Sequence, residues 1–195
     1  VDSDDAVSPC LLKNVITLLE KYHPDFLEFK FKECMDLEEA KKALSHSKIN
    51  EDKVTMTAID DYLVDNFYFL GNSISRWTKF IKREILADIV EIYGESYLKY
   101  WEDFLFTVLL YEKSKNFLSI DAEFYYYIKN DFSVTRSAID YDLYLDNSVK
   151  IYKILSTFKG KVSNQAFYLF ANCLTSSSLL AKCPTTIILI AAPLP

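Results

Sequence analysis

The scarcity of glycine constrains the fold of this chain more than any other feature, because only three of its 195 residues are glycine. A chain of this length at typical usage would contain about 13. Glycine supplies positive φ angles, tight hairpins and close approach of the backbone to phosphate groups. The sequence therefore predicts helices joined by simple turns, with Gly71, Gly94 and Gly160 ending individual segments.

The spacing of the glycines also excludes several enzyme motifs. The P-loop, the dinucleotide-binding fingerprint and the nucleophile elbow each need at least two glycines within a few residues. The closest pair in this chain is Gly71 and Gly94. We therefore expect none of these three sites, and the sequence predicts no cofactor.

The composition favours a folded, aromatic-rich domain that does not bind nucleic acid. Half of the residues are hydrophobic and 15% are aromatic, which predicts a core of large side chains. The formal net charge is −6, from 22 basic and 28 acidic residues. An acidic chain without a dense basic run is poorly suited to phosphate backbones or anionic lipid surfaces.

The four cysteines indicate an oxidising compartment. None of them forms the Cys-x-x-Cys spacing of a zinc site. Their positions near the two ends of the chain predict the disulfides Cys10–Cys34 and Cys173–Cys183, with buried thiols as the alternative. The chain begins with Val1 rather than Met, as a secreted protein does after its signal peptide is removed, and as a trimmed chain does too. These features favour a secreted, extracellular protein.

Hydrophobic periodicity predicts an all-α fold, a single-domain helical bundle of about six to eight helices. The predicted helices cover 11–22, 36–44, 57–70, 73–93, 95–113, 119–129, 147–158 and 163–174. The two long helices on either side of Gly94 are expected to form an antiparallel hairpin.

One short β element is compatible with the pattern at either of two places. Hydrophobic and polar residues alternate over 27–32, which is typical of a strand, although an extended connector would show the same pattern. A similar alternation falls within 139–154, where a helical stripe overlaps it. We favour a helix from about 147 to 158, since few glycines are available for hairpin turns.

The whole chain, 1–195, is expected to form one domain with two appendages. Residues 1–8 form an acidic N terminus that we expect to be flexible. Residues 175–195 form an apolar tail, and the breaks at Lys182 and Pro184 leave it short of the roughly 20 residues of a membrane span. We expect this tail to dock on the domain; a processing signal and an oligomer contact are the alternatives.

No motif in the sequence indicates metal binding. Glu20 and His23 have the spacing of half a di-iron motif, but a second copy is missing. The other histidine, His46, is interpreted as a solvated loop residue. Asp140-x-Asp142 resembles the start of a calcium loop, yet the glycine and glutamate that such a loop needs further on are absent.

Neighbouring carboxylates occur at four places and are interpreted as solvent-facing. The pairs are Asp4-Asp5, Glu38-Glu39, Asp60-Asp61 and Glu102-Asp103. Adjacent residues on a helix do not face each other, so such a pair does not by itself predict a shared catalytic site.

The surplus of aromatic residues predicts a core of large rings and, beyond it, a binding surface. Four successive aromatics, 124–127, would point in all directions from a helix, so some of them could not reach a core. Tyr125 and Tyr126 are therefore expected to be exposed. The candidate binding residues are Tyr125, Tyr126, Trp77, Trp101 and Tyr97.

The function that these observations favour is a secreted, non-catalytic helical protein that binds a protein partner. The alternative is a carrier that binds a hydrophobic small ligand or lipid in an aromatic-lined cavity between helices. An enzyme is the third hypothesis, and it would use carboxylates or tyrosines without a nucleotide. No catalytic residue is predicted.

Overall fold

The computed structural model describes residues 4–44, 49, 51–66, 75–94, 97–129, 140–158, 160, 162 and 166. Within these residues the chain forms a mixed α/β fold in which six helices pack around one curled five-stranded sheet. The strands are β1 (Ala6–Val7), β2 (Phe26–Cys34), β3 (Val54–Ala58), β4 (Lys79–Ile81) and β5 (Asn116–Ile128). The helices are α1 (Leu11–Tyr22), α2 (Leu37–Leu44), α3 (Ile59–Asn66), α4 (Arg83–Tyr93), α5 (Glu102–Lys113) and α6 (Tyr141–Thr157), with short 3-10 helices at Glu51–Lys53 and Arg76–Thr78. The prediction of an all-α bundle is therefore wrong.

Strand β5 is the centre of the sheet. One of its edges pairs with β2 in parallel, while β3 and β1 pair with it antiparallel, β3 along its first half and β1 near its end. Strand β4 pairs antiparallel with the far side of β2. Ala6 and Val7 belong to the N-terminal stretch for which flexibility was expected, and here they are paired with Tyr126 and Tyr125.

The helix predicted over 119–129 is wrong, because these residues form most of β5. Residues 118–124 alternate between buried apolar and polar side chains, which is typical of a strand, and 124–128 form an apolar run that fits a buried strand as well as a helix. Phe117, Leu118, Ile120, Phe124 and Tyr125 are all buried. Aromatic and β-branched side chains also fit a pleated sheet better than a helix.

The helix predicted over 73–93 is correct only in its second half. Helix α4 covers Arg83–Tyr93 and ends at Gly94, whose φ of 54° and N–H bond to the Val90 carbonyl close the last turn as predicted. The first half instead contains a 3-10 turn and strand β4. Similarly, the predicted helix 95–113 begins only at Glu102, and the predicted helix 57–70 begins at Ile59, after strand β3.

Two of the predicted helices, 11–22 and 36–44, have termini that neighbouring residues determine. Helix α1 ends at His23, which adopts the left-handed conformation before Pro24. Before α2, the Asp36 carboxylate accepts a hydrogen bond from the Glu39 amide at 2.8 Å, and Glu39 in turn accepts one from the Met35 amide at 2.9 Å. This reciprocal arrangement is a capping box.

The two candidate β segments have different outcomes. Residues 27–32 lie inside β2. Residues 141–157 form helix α6, which begins earlier than the 147 expected, because the Asp140 side chain caps it by accepting a bond from the Leu143 amide. The predicted helix 163–174, apart from Ala166, and the tail 175–195 lie outside the described residues, as does His46.

The sheet separates two hydrophobic cores. On one face, α1 packs on side chains of β2 and β5 such as Leu27 and Leu118. On the other face, α5 is buried on all sides and packs on Phe26 and Phe117 together with α3, α4 and α6. On this second face the apolar residues Phe26 and Phe117 are followed, two positions further along each strand, by the polar residues Glu28 and Ser119.

The predicted Cys10–Cys34 disulfide is wrong, because both residues are thiols. Cys10 packs with the core under α1, whereas Cys34 lies at the end of β2 in a separate small cluster with Ala40 and Tyr126. Burial raises the pKa of the Cys34 thiol. Cys173 and Cys183 lie outside the described residues, and secretion stays a prediction.

Among the described helices, none is both long enough and apolar enough to cross a membrane.

Candidate active site

The carboxylates of Glu102 and Asp103 begin helix α5 and share one cationic partner. The Arg76 guanidinium lies 3.7 Å from Glu102 Oε1 through Nη2, and its Nε donates a hydrogen bond to Asp103 Oδ1. Both carboxylates sit in the first turn of the helix, where the exposed backbone N–H groups favour negative charge. One arginine therefore contacts the carboxylates of both acids, which are adjacent in sequence.

The two acids differ in their surroundings. Burial raises the pKa of Glu102, an effect that the nearby Asp103 charge strengthens and that the Glu102 amide and the Arg76 guanidinium oppose. A carboxyl group with a raised pKa lies closer to the range in which proton transfer at neutral pH is efficient. The pair thus places two carboxyl groups side by side, and burial raises the pKa of Glu102.

Tyr93 supports the backbone of this turn. Its hydroxyl donates a 2.6 Å hydrogen bond to the carbonyl oxygen of Glu102. Burial raises the pKa of Tyr93 well above its usual range, so the hydroxyl stays protonated and remains a donor. Helix α4, which ends at Tyr93, therefore fixes the start of α5.

A surface cavity of about 610 Å³ lies beside the two carboxylates. It is lined by Arg76, Trp77, Lys79, Phe80, Ile81, Leu86, Glu102, Asp103 and Phe106. Its size is in the range of small-molecule sites. The lining combines aromatic and aliphatic walls with two cations and two acids, which suits a polar ligand that carries charge.

Lys79 is the second cation among the residues that line this cavity. Its side chain is fully buried, donates a 3.0 Å hydrogen bond to the Ser75 carbonyl and lies 3.9 Å from Glu28, the residue directly opposite it on β2. Burial lowers the pKa of Lys79 to about 8, against the opposing effect of Glu28. A buried ion pair therefore joins β2 to β4.

An aromatic stack connects the cavity to the N terminus of the chain. The Trp77 ring stacks on Tyr125 at 4.3 Å between centroids and lies parallel to Tyr127 at 6.0 Å. The Tyr125 hydroxyl donates a 2.6 Å hydrogen bond to Asp5, whose other carboxylate oxygen accepts a 2.8 Å bond from the Ile128 amide. A continuous series of contacts thus leads from Asp5 to the Arg76–Asp103 pair.

The structure corrects the expected exposure of the candidate tyrosines. Tyr125 and Tyr126 are 0% and 1% exposed, because they point to opposite faces of a central strand and both faces are covered. Tyr126 packs near α2, where its hydroxyl bonds to backbone carbonyls. Neither residue can offer its ring to a partner.

The other three candidates lie in different places. Trp77 lines the cavity. Trp101 is half-buried directly before Glu102, with its ring edge against Phe104. Tyr97 is 73% exposed, and the structure does not bring it to the cavity.

The Glu102-Asp103 pair and Arg76 were missed as functional residues. A signal for the pair was present, because it begins a helix in which eight successive residues, 104–111, are buried. Acids at the start of a helix buried on all sides lie at the edge of the core, where their charge is partly desolvated. Arg76 gives no such signal, since its contact with α5 depends on the sheet.

Among the described residues, no group of three or more His, Cys, Asp or Glu side chains is arranged to hold a metal ion.

No protein-family model matches this chain, and no curated protein matches it at a significant level. Its fold is similar to that of S. aureus TarS. The 1–349 fragment of TarS in complex with UDP-GlcNAc has a TM-score of 0.61 and 18% sequence identity, over 97% of this chain and 54% of that chain. The same fragment in complex with UDP gives 0.54 and 19%, over 94% and 48%, and without ligand it gives 0.55 and 20%, over 95% and 48%.

This likeness concerns the fold, and the chain spans about half the length of the TarS 1–349 chains it matches. It overturns the interpretations that depended on an all-α architecture. A non-catalytic helical binding protein with a protein partner is wrong, and so is a lipid carrier with a cavity between helices, because the fold resembles that of a glycosyltransferase whose structures contain a nucleotide sugar or its nucleotide.

Proposed function

We propose that this chain forms part of a glycosyltransferase that transfers a sugar from a nucleotide sugar of the UDP-GlcNAc type. The observation that carries the proposal is the match of 97% of the chain to TarS in complex with UDP-GlcNAc. Since fold alone does not determine activity, the residues of the site have to support it independently.

The chemistry of the cavity supports this proposal. Transfer requires that an acceptor hydroxyl lose its proton while its oxygen bonds to the anomeric carbon of the donor sugar. The bond from that carbon to the diphosphate breaks, and its electron pair leaves with the nucleoside diphosphate. A carboxylate that takes the proton and cations that stabilise the developing negative charge are therefore the groups needed.

We assign the proton acceptor to Asp103. Its carboxylate lines the cavity and is held in one orientation by Arg76 Nε, which is the condition for efficient proton transfer. Glu102, whose pKa is raised, places a second carboxyl group beside Asp103. Arg76 supplies positive charge at the cavity, and the buried Lys79, paired with Glu28, adds to it.

The test measures UDP release from UDP-GlcNAc by the wild-type chain and three variants. Asp103→Asn should lower turnover about 100-fold or more, the range for loss of a general base, because the amide cannot take the proton. Glu102→Gln should lower it less. The matched control is Asp142→Asn, which removes another exposed first-turn aspartate, on α6, and should leave turnover unchanged.

Equal turnover of wild type and Asp103→Asn would contradict the assignment of the base. A larger loss in Glu102→Gln than in Asp103→Asn would move the base to Glu102.

A further inference from the structure

A second recess, which we call the polar groove, lies on the sheet next to the cavity. It consists of two adjoining hollows of about 400 and 520 Å³ that share Glu28, Lys30, Tyr62 and Ser119. Its side chains come mainly from three neighbouring strands, β2, β5 and β3. The remaining polar lining residues are Asp52, Lys53, Thr55, Thr57, Ser75, Thr78 and Asp121.

The floor of the polar groove is a row of polar residues that crosses the sheet. Glu28 on β2 lies opposite Ser119 on β5, and Ser119 lies opposite Thr55 on β3. On its other side Glu28 pairs with Lys79 on β4. Because side chains at paired positions of a sheet point to the same face, these groups are presented together.

An aromatic ring held in place by other rings lines both hollows of the groove. Tyr62 stacks on Tyr111 at 5.6 Å between centroids and makes a T-shaped contact with Phe117 at 5.0 Å. Along β5 the sheet face changes from apolar, at Phe117, to polar, at Ser119. A ring beside hydroxyl and carboxylate groups offers an apolar surface and hydrogen-bonding partners to the same ligand.

The charges of the groove are paired with one another. Asp121 accepts one bond from Lys30 at 2.6 Å and another from Lys53 at 2.7 Å, through its two different oxygens. Glu28 is paired with Lys79. An anionic ligand would have to compete with Asp121 for both lysines, whereas a neutral ligand can bond to the outer atoms of these pairs and to the hydroxyls beside them.

The groove and the cavity meet at the segment 75–79. Ser75 and Thr78 line the groove, whereas Arg76, Trp77 and Lys79 line the cavity. The two recesses therefore share this segment as part of their walls. Two substrates that react with each other have to bind in neighbouring places, and a shared wall is compatible with that requirement.

We propose that the polar groove binds the acceptor of the transfer reaction, and that this acceptor is a neutral, hydroxyl-rich molecule, a saccharide or polyol. The role of acceptor rests on the proposed function. The binding of the saccharide depends on groove residues that do not line the cavity, so the groove proposal and the proposed function can fail independently.

The test uses two neutral trisaccharides, maltotriose and chitotriose, with inorganic phosphate as the anionic probe. Each is added to the ¹⁵N-labelled chain, and amide shifts are followed by NMR. At least one trisaccharide should shift the amides of Thr55, Ser119 and Asp121, and Thr55→Val/Ser119→Ala should weaken that binding at least fivefold. The control, Thr17→Val/Ser156→Ala, removes two exposed hydroxyls from α1 and α6 and should bind as wild type does.

The inference is overturned if neither trisaccharide shifts these amides, if the double variant binds as well as wild type, or if phosphate shifts them and Lys53→Met abolishes that effect. Turnover of UDP-GlcNAc in the absence of an acceptor separates the two proposals. Donor turnover without saccharide binding would overturn the groove alone, whereas saccharide binding without donor turnover would overturn the transferase proposal and the acceptor role with it.

Discussion

At the scale of single residues, Lys79 is a charged residue whose burial follows from the fold and is not indicated by the sequence. In the sequence it lies between Thr78 and Phe80, a position that fits a solvated helix face. In the structure its side chain is fully buried beside Glu28, because β4 pairs with β2 in a register that puts the two residues opposite each other. Burial of a charged ammonium is unfavourable unless it is paired, so the pair depends on the sheet.

The lowered pKa of Lys79 makes part of the stability depend on pH. Below about pH 8 the residue is charged in both the folded and the unfolded chain, and the full cost of burying the charge is present. As the pH rises from 8 towards 10.5, the folded chain loses the proton first, so stability rises relative to a variant without this group. The total gain in the free energy of unfolding, relative to that variant, is about 3 kcal/mol.

Urea unfolding of wild type and Lys79→Met at pH 7, 8.5 and 10 tests this expectation. The wild type should gain free energy of unfolding relative to the variant as the pH rises. The control Lys13→Met, at an exposed position of α1, should show no such trend. A constant difference between wild type and Lys79→Met over this pH range would contradict the burial of a charged Lys79.

At the scale of elements, the outcome of a prediction depends on whether local chemistry or pairing decides the structure. The end of α1 and the start of α2 follow from neighbouring residues such as Pro24, Asp36 and Glu39, and these two helices were predicted with nearly the observed bounds. Strands β4 and β5 depend on partners far away in the chain. Their apolar runs fit a buried strand as well as a helix, and periodicity alone does not separate the two.

Helix α6 positions the segment that leads into α5. The buried Asn147 side chain accepts hydrogen bonds from the backbone amides of Lys99 and Tyr100, at 2.8 and 3.0 Å. Asn147→Ala leaves both amides without this acceptor, so the free energy of unfolding should fall by roughly 2 kcal/mol. Turnover of UDP-GlcNAc should fall as well, because Glu102 and Asp103 follow directly.

Chemical denaturation and kinetics of Asn147→Ala check both effects. Asn14→Ala, at a half-buried position of α1, is the matched control and should cost less. If Asn147→Ala were as stable as wild type, the proposed link between α6 and the start of α5 would be wrong.

At the scale of the whole molecule, the sheet is what the sequence could not reveal. Of the three glycines, Gly94 ends a helix as predicted, and Gly71 lies outside the described residues. The inference from few glycines to an all-α fold failed because none of the described strand pairs joins consecutive strands, so the sheet does not depend on tight glycine hairpins. The site was missed for the same reason, since Lys79 and Glu28 come together only when β4 pairs with β2.

The central claim is that this fold binds a nucleotide sugar at the cavity beside Glu102 and Asp103. Isothermal titration of the 195-residue chain with UDP-GlcNAc, UDP and AMP tests it most directly. We expect UDP-GlcNAc and UDP to bind, AMP to bind much more weakly, and Lys79→Met to weaken UDP-GlcNAc binding. Absence of binding by both uridine ligands, or equal binding of AMP, would contradict the claim.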